Sequence, residues 1–159
     1  METRARADRY RRIGVQLEEL FEAVTDPTAR MATAAAVLHH KMPHFFWTGF
    51  YLLRDGELIV GPYQGSLACM RLAPHTGVCW AGIDRCETVV VDDVHAFPGH
   101  IACDSRSRSE IVVPVRDRNG AVVGVLDVDS ERAAAFDDVD RDGLEALVRL
   151  IFAATGERG

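Results

Sequence analysis

The sequence predicts an α+β sandwich: a central, mostly antiparallel sheet covered by helices from the N- and C-terminal ends of the chain. Three observations predict it. Apolar residues recur at helical spacing near both ends. The middle of the chain carries short apolar runs rich in β-branched and aromatic residues, which read as strands. Two pairs of these runs flank Asp55-Gly56 and Asn119-Gly120, turn signals that make antiparallel neighbours. Helices must cover such a sheet, because each element buries one face against another. The 159 residues suit one domain over 1–159, within the usual range of about 100–200.

Taken in order, residues 8–24 read as a helix with Ile13, Leu17, Leu20, Phe21 and Val24 as its apolar stripe. Asp26-Pro27 starts a second helix, an N-cap residue followed by proline at the first helical position. Met31, Ala35 and Leu38 carry its buried face, and Pro43 stops it. Phe46 to Leu53 and Glu57 to Tyr63 are the first hairpin. Gly65 to Arg85 is loop followed by a short helix, and Val89 to Val91 is a short strand. Asp92 to Ser109 is a long polar loop without periodicity, and such a loop inside a compact domain is usually functional. Glu110 to Arg118 and Ala121 to Ser130 form the second hairpin, with Pro114 marking an edge or a bulge. Asp137 caps the last helix, whose stripe is Leu144, Leu147, Val148 and Ile151.

Composition narrows the function. The chain is 48% hydrophobic and 26% charged, which is globular, and its net charge of −6 argues against nucleic acid and against a membrane surface. No apolar run reaches the roughly 18 residues of a membrane span, and the first residues lack the apolar core of a signal peptide. The expected location is the cytoplasm, where thiols stay reduced and stable disulfides are rare.

Four cysteines then need another explanation. No two form Cys-x-x-Cys, so neither a thioredoxin-type dithiol nor a structural zinc site is supported. His75, His95 and His100 lie near them, but the spacing does not favour a mixed Cys/His metal site. Cys86 sits at an ordinary helix-to-strand step and reads as a small hydrophobe. Cys103 stands in the long loop among histidine, serines and Arg106, where positive charge favours a thiolate. Cys69 is also in loop-like sequence. Two loop cysteines in a cytosolic protein point to transient, catalytic redox chemistry.

The carboxylates are a second constellation. Asp127 and Asp129 are two apart on an apolar strand, so both point to one face, and Glu110 opens the partner strand. Three carboxylates on one face raise one another's pKa unless a cation sits among them. They are either a solvated sheet end or a pocket for an ammonium group. Trp47 and Tyr51 share a face of the first strand, either as plain core or as the wall of an apolar slot.

The runs Phe46-Trp47-Thr48-Gly49-Phe50-Tyr51, Gly61-Pro62-Tyr63-Gln64-Gly65, Ala68-Cys69, Gly77-Val78-Cys79, Asp93 to Asp104, Ser109-Glu110-Ile111-Val112-Val113-Pro114 and Gly124 to Ser130 resemble the free methionine-(R)-sulfoxide reductases, which are GAF-domain enzymes. The similarity runs from about Ile13 to the last helix. It departs at Phe46, where the pattern has asparagine, and at Trp80, where it often has glycine. The resemblance implies a nucleophilic Cys103, a resolving Cys69 and a third relay cysteine, Cys79. It implies that Glu110, Asp127 and Asp129 surround the substrate's ammonium and sulfoxide, with Trp47 and Tyr51 walling its methyl group. It implies a homodimer.

In that reading Cys103 reduces free methionine sulfoxide and becomes a sulfenic acid, which a second thiol converts to a disulfide. Cys69 is the expected partner. Thioredoxin, or a similar dithiol, then restores the thiols. No metal or organic cofactor is required. The rival readings are a GAF-type small-molecule sensor without catalysis and a Cys/His metal protein. A sensor usually comes fused to an output domain, for which this length has no room.

Overall fold

The computed structural model describes residues 2–100 and 103–154; Ile101 and Ala102 of the loop motif lie outside the described residues. Helix α1 (Thr3–Ala23) begins before the periodic stretch. Its buried line is Tyr10, Ile13, Leu17 and Phe21. Leu20 and Val24, expected in that stripe, are exposed. Both lines fit helical spacing, but the contact follows 10–13–17–21, and Leu20 and Val24 fall one step round on the flank.

Helix α2 (Pro27–Lys41) starts where Asp26 and Pro27 predict, with the Asp26 side chain accepting from the Ala29 N–H. Strands β1 (Trp47–Arg54) and β2 (Glu57–Gln64) form the first hairpin. Asp55 and Gly56 turn it with φ of +52° and +80°, the left-handed pair that a tight hairpin turn needs. A two-residue strand β3 (Arg71–Leu72), which no sequence signal marks, adds to β2. Helix α3 (Gly77–Arg85) and β4 (Val89–Val91) follow, and one 3-10 turn (Val94–Ala96) lies in the long loop. Strands β5 (Ser109–Arg116) and β6 (Val122–Ser130) pair as the second hairpin. Pro114 lies past Val112, the last β5 residue that β4 pairs, and is paired only with Val125 of β6, so β5 is an edge at the proline. A register shift follows at Val115/Arg116. Helix α4 (Asp138–Val148) opens with a capping box between Asp137 and Asp140.

The sheet order is β3-β2-β1-β6-β5-β4, and every pair is antiparallel. The expected α+β sandwich is therefore present. One face packs on α1, α2 and α4 around Phe50, Ile111, Leu126 and Val128. The other face carries a second core of Trp47, Tyr51, Val112 and Val125 with Val78, Cys79 and Trp80 of α3. Helix α3 lies very close to the sheet, because a Cβ on Gly82 would come within 2.7 Å of Val112 Cγ1. That approach holds the first turn of α3, with Cys79, over β5 and β6. No helix among the described residues is long and apolar enough to cross a membrane.

Candidate active site

Strand register assembles the floor of the site. Trp47 of β1 faces Asp129 of β6, and Asp129 faces Glu110 of β5. One row on, Gly49 faces Asp127, which faces Val112. Paired residues share a face, so Trp47, Tyr51, Glu110, Asp127 and Asp129 all point to the α3 side. Cys79 meets them from α3, its Sγ 4.0 Å from Glu110 Oε2. Glu110 and Asp127 are each only 5% exposed, so the cluster is not a solvated sheet end.

The aromatic wall depends on a glycine. The Trp47 ring stacks between Tyr51, at 5.9 Å between centroids, and Tyr63, at 5.2 Å. A Cβ on Gly49 would lie 2.3 Å from Tyr63 Cβ and 2.7 Å from the Trp47 ring. Both aromatic donors hold the loop after β2: Trp47 Nε1 donates to the Ser66 carbonyl at 3.0 Å and Tyr51 OH to the Cys69 carbonyl at 2.8 Å.

Cys69 and Cys103 are joined by a disulfide with their Cα atoms 5.5 Å apart. The bridge ties the loop after β2 to the long loop. A second tie crosses beside it, Ser66 Oγ donating to Asp104 at 2.8 Å. Cys103 is exposed and Cys69 half-buried. Cys103, on its side of the bridge, lines a cleft whose floor is Glu110, Asp127 and Asp129 and whose other walls include Trp47, Tyr51, Cys79 and His100. Cys86 lies outside this cleft, exposed at the C-terminal cap of α3.

Electrostatics divide the roles. Burial, then the carboxylates beside it, raise the Cys79 thiol well above its ordinary value, so it stays protonated. Burial also raises Glu110 and Asp129, and Asp127 raises both further. Asp127 is raised by burial too, but hydrogen bonding with Glu110, Cys79 and Asp129 pulls it back down. Asp127 is therefore the member that holds the negative charge most readily, while Glu110 and Asp129 both favour their protonated forms. Asp127 Oδ1 is buried with no partner among the described residues, which suits a ligand cation. Asp104, by contrast, is held well below the usual carboxylate range by Arg106 and then Ser66.

Cys79, Glu110 and Asp127 also present one donor atom each within 4.8 Å of one another, a set able to hold a metal ion. Sequence reading missed Gly49, Tyr63, Ser66 and Asp104, because their parts depend on which loops meet. His100 entered the sequence reading beside a metal site and as a neighbour of Cys103, not as a wall of the cleft. Its Nε2 is buried in the cleft wall without a partner among the described residues, and burial and His95 lower its pKa, so the imidazole is neutral.

A family model described as the GAF domain matches residues 16–154. The chain is 45% identical over 150 residues to the Bacillus subtilis protein YtsP, covering 93% of this chain and 91% of that one. It is 40% identical over 139 residues to a protein of Escherichia coli named free methionine-R-sulfoxide reductase, covering 87% and 84%. A crystal structure of the free methionine-R-sulfoxide reductase of Neisseria meningitidis in complex with its substrate superposes with a TM-score of 0.86 at 45% identity, covering 91% of this chain and 87% of that chain.

Proposed function

The chain belongs to the GAF-domain family of free methionine-R-sulfoxide reductases, and on that premise we propose that it reduces free L-methionine-(R)-sulfoxide by a sulfenic acid and disulfide relay recycled by thioredoxin. The observation that carries this reading is Cys103, bridged to Cys69, in the wall of a cleft floored by Glu110, Asp127 and Asp129. Cys103 is the nucleophile, Cys69 the resolving thiol, and Cys79 a buried third thiol that can join the relay. Asp127, with Asp129, receives the substrate ammonium. Trp47 and Tyr51 pack against its methyl end.

The chemistry follows from these assignments. The Cys103 thiolate attacks the sulfoxide sulfur. Oxygen is a poor leaving group, so it needs a proton or hydrogen bond as charge develops on it. Glu110, kept protonated by burial and its carboxylate neighbours, supplies that proton. Oxygen passes to Cys103 as a sulfenic acid and methionine leaves, so sulfoxide sulfur is reduced and cysteine sulfur oxidised. The Cys69 thiol then condenses with the sulfenic acid: its sulfur bonds the Cys103 sulfur, the S–O bond breaks, and the hydroxyl leaves with the thiol proton as water. A dithiol reductant returns both thiols by exchange.

Specificity for the free amino acid follows from the buried carboxylates. An N-acylated substrate has no ammonium and leaves Asp127 unpaired, a strong penalty in a buried site. The protein works in the cytoplasm, where such a reductant is available, and as a homodimer. NADPH consumption with thioredoxin, thioredoxin reductase and each diastereomer of free methionine sulfoxide tests the reading. Turnover of the R form alone is expected. Binding of the R form without methionine release would leave a sensor instead.

A further inference from the structure

The loop between β2 and β3 turns apolar side chains outward. Leu67 is 84% exposed and Met70 76%, and they flank Cys69 in the sequence. The other exposed large hydrophobic side chains among the described residues, Val15, Leu20 and Val24, lie along α1 or at its end. Slack in the loop does not explain this exposure. Ser66 and Cys69 turn their carbonyls inward to Trp47 and Tyr51, and the Met70 carbonyl accepts from the Val60 N–H at 2.9 Å. With its backbone fixed on the inside, the loop holds Met70 in water and Leu67, itself mostly exposed, at the edge of the cleft that Cys103 lines. Exposed apolar residues scattered singly are ordinary. Two that bracket half of an accessible disulfide are not scattered. Residues 65–70 also carry no charge, on a chain whose net charge is −6.

We infer that Leu67 and Met70 form the docking surface for the protein reductant of the Cys69–Cys103 bridge, a dithiol protein whose own thiol pair is framed by neutral, apolar surface. This rests on the reading that the bridge is the redox-active one. In the step, a thiolate of the reductant attacks one sulfur of the bridge. The Cys69–Cys103 bond breaks, and its electron pair leaves on the other sulfur, which takes a proton. The reductant's second thiolate then attacks its partner sulfur in the mixed disulfide and releases the remaining cysteine. Two electrons pass, both cysteines end as thiols, and the reductant ends as a disulfide. The apolar contact lengthens the encounter, while a small dithiol reaches the bridge without it.

The test compares bridge reduction in the oxidised full chain, without sulfoxide, by thioredoxin and by dithiothreitol. Thiol release is followed for wild type, Met70→Gln and the double variant Leu67→Ser/Met70→Gln. The second-order rate with thioredoxin should fall at least about tenfold in the double variant and in part in Met70→Gln, a tenfold loss corresponding to about 1.4 kcal/mol. The rate with dithiothreitol should stay within about twofold in both. Equal rates with thioredoxin in all three proteins would overturn the inference. So would parallel losses with both reductants, or a wild-type bridge that dithiothreitol reduces and thioredoxin does not. Because no sulfoxide is present, the result stands apart from whether the chain reduces methionine sulfoxide.

Discussion

Asp127 has Leu126 and Val128 as chain neighbours, and both are buried in the core on the other face of the sheet. Strand parity therefore forces its carboxylate toward α3, and the sequence carries that fact in plain alternation. What alternation cannot carry is the neighbourhood. Cys79 and the partnerless Oδ1 come from tertiary packing. Asp127→Asn should lower kcat/KM for free methionine sulfoxide at least about tenfold, since a hydrogen bond to a charged group contributes about 1.5–3 kcal/mol. The variant should keep the wild-type melting midpoint or exceed it, because the substitution removes a charge that burial makes costly to hold. Unchanged kinetics would remove Asp127 from the ammonium site. Cys103→Ser should form no methionine in a single turnover, whereas Cys86→Ser, outside the cleft, should match wild type. Methionine released by the Cys103 variant would move the nucleophile elsewhere.

Arg30 decides how the helical layer closes. In the sequence it is one of many arginines. In the fold it is 3% exposed. Its Nε donates to the Val24 carbonyl, Nη2 to Phe21, and Nη1 to Leu150, Ile151 and Ala153. These acceptors end α1 and follow α4, where helix carbonyls lack intrahelical donors and carry partial negative charge. Nothing in local sequence marks the role, because the acceptors lie in two other elements. Arg30→Met should lower unfolding free energy by at least about 3 kcal/mol, since each buried acceptor left unpaired costs about 1–3 kcal/mol. Urea denaturation measures it, and a loss under about 1 kcal/mol would mean that water replaces the guanidinium. Elements with their own signals, such as α2 with its Asp26-Pro27 start and β4, were legible in the sequence. Strand β3 was not, because two residues have no period.

Across the whole molecule, the hairpins β1–β2 and β5–β6 could be read from Asp55-Gly56 and Asn119-Gly120. The β1–β6 pairing could not, although it brings Trp47 beside Asp129 and so creates the cleft. Local turn chemistry determines neighbours in the chain, whereas β1–β6 is set by burying both faces at once. That burial has a consequence for stability against pH. The folded chain raises Glu110 and Asp129 above their ordinary values of 4.5 and 3.8. A group whose pKa is raised by folding stabilises fully below its unfolded pKa, and that contribution is lost as pH rises through the folded one. Asp137, lowered to about 2 first by its hydrogen bond from Arg6, has the opposite sign and matters only in acid. The substrate-free protein should therefore lose stability from this cluster between pH 5 and pH 8. Glu110→Gln cannot ionise yet keeps an amide that can donate to Asp127. Its melting midpoint should exceed that of wild type by a margin that widens as pH rises from 5 to 8. For a chain of this size 1 kcal/mol is roughly 2–4 °C, which scanning calorimetry resolves. A margin constant with pH would show that Glu110 is already ionised in the fold and is not the proton donor.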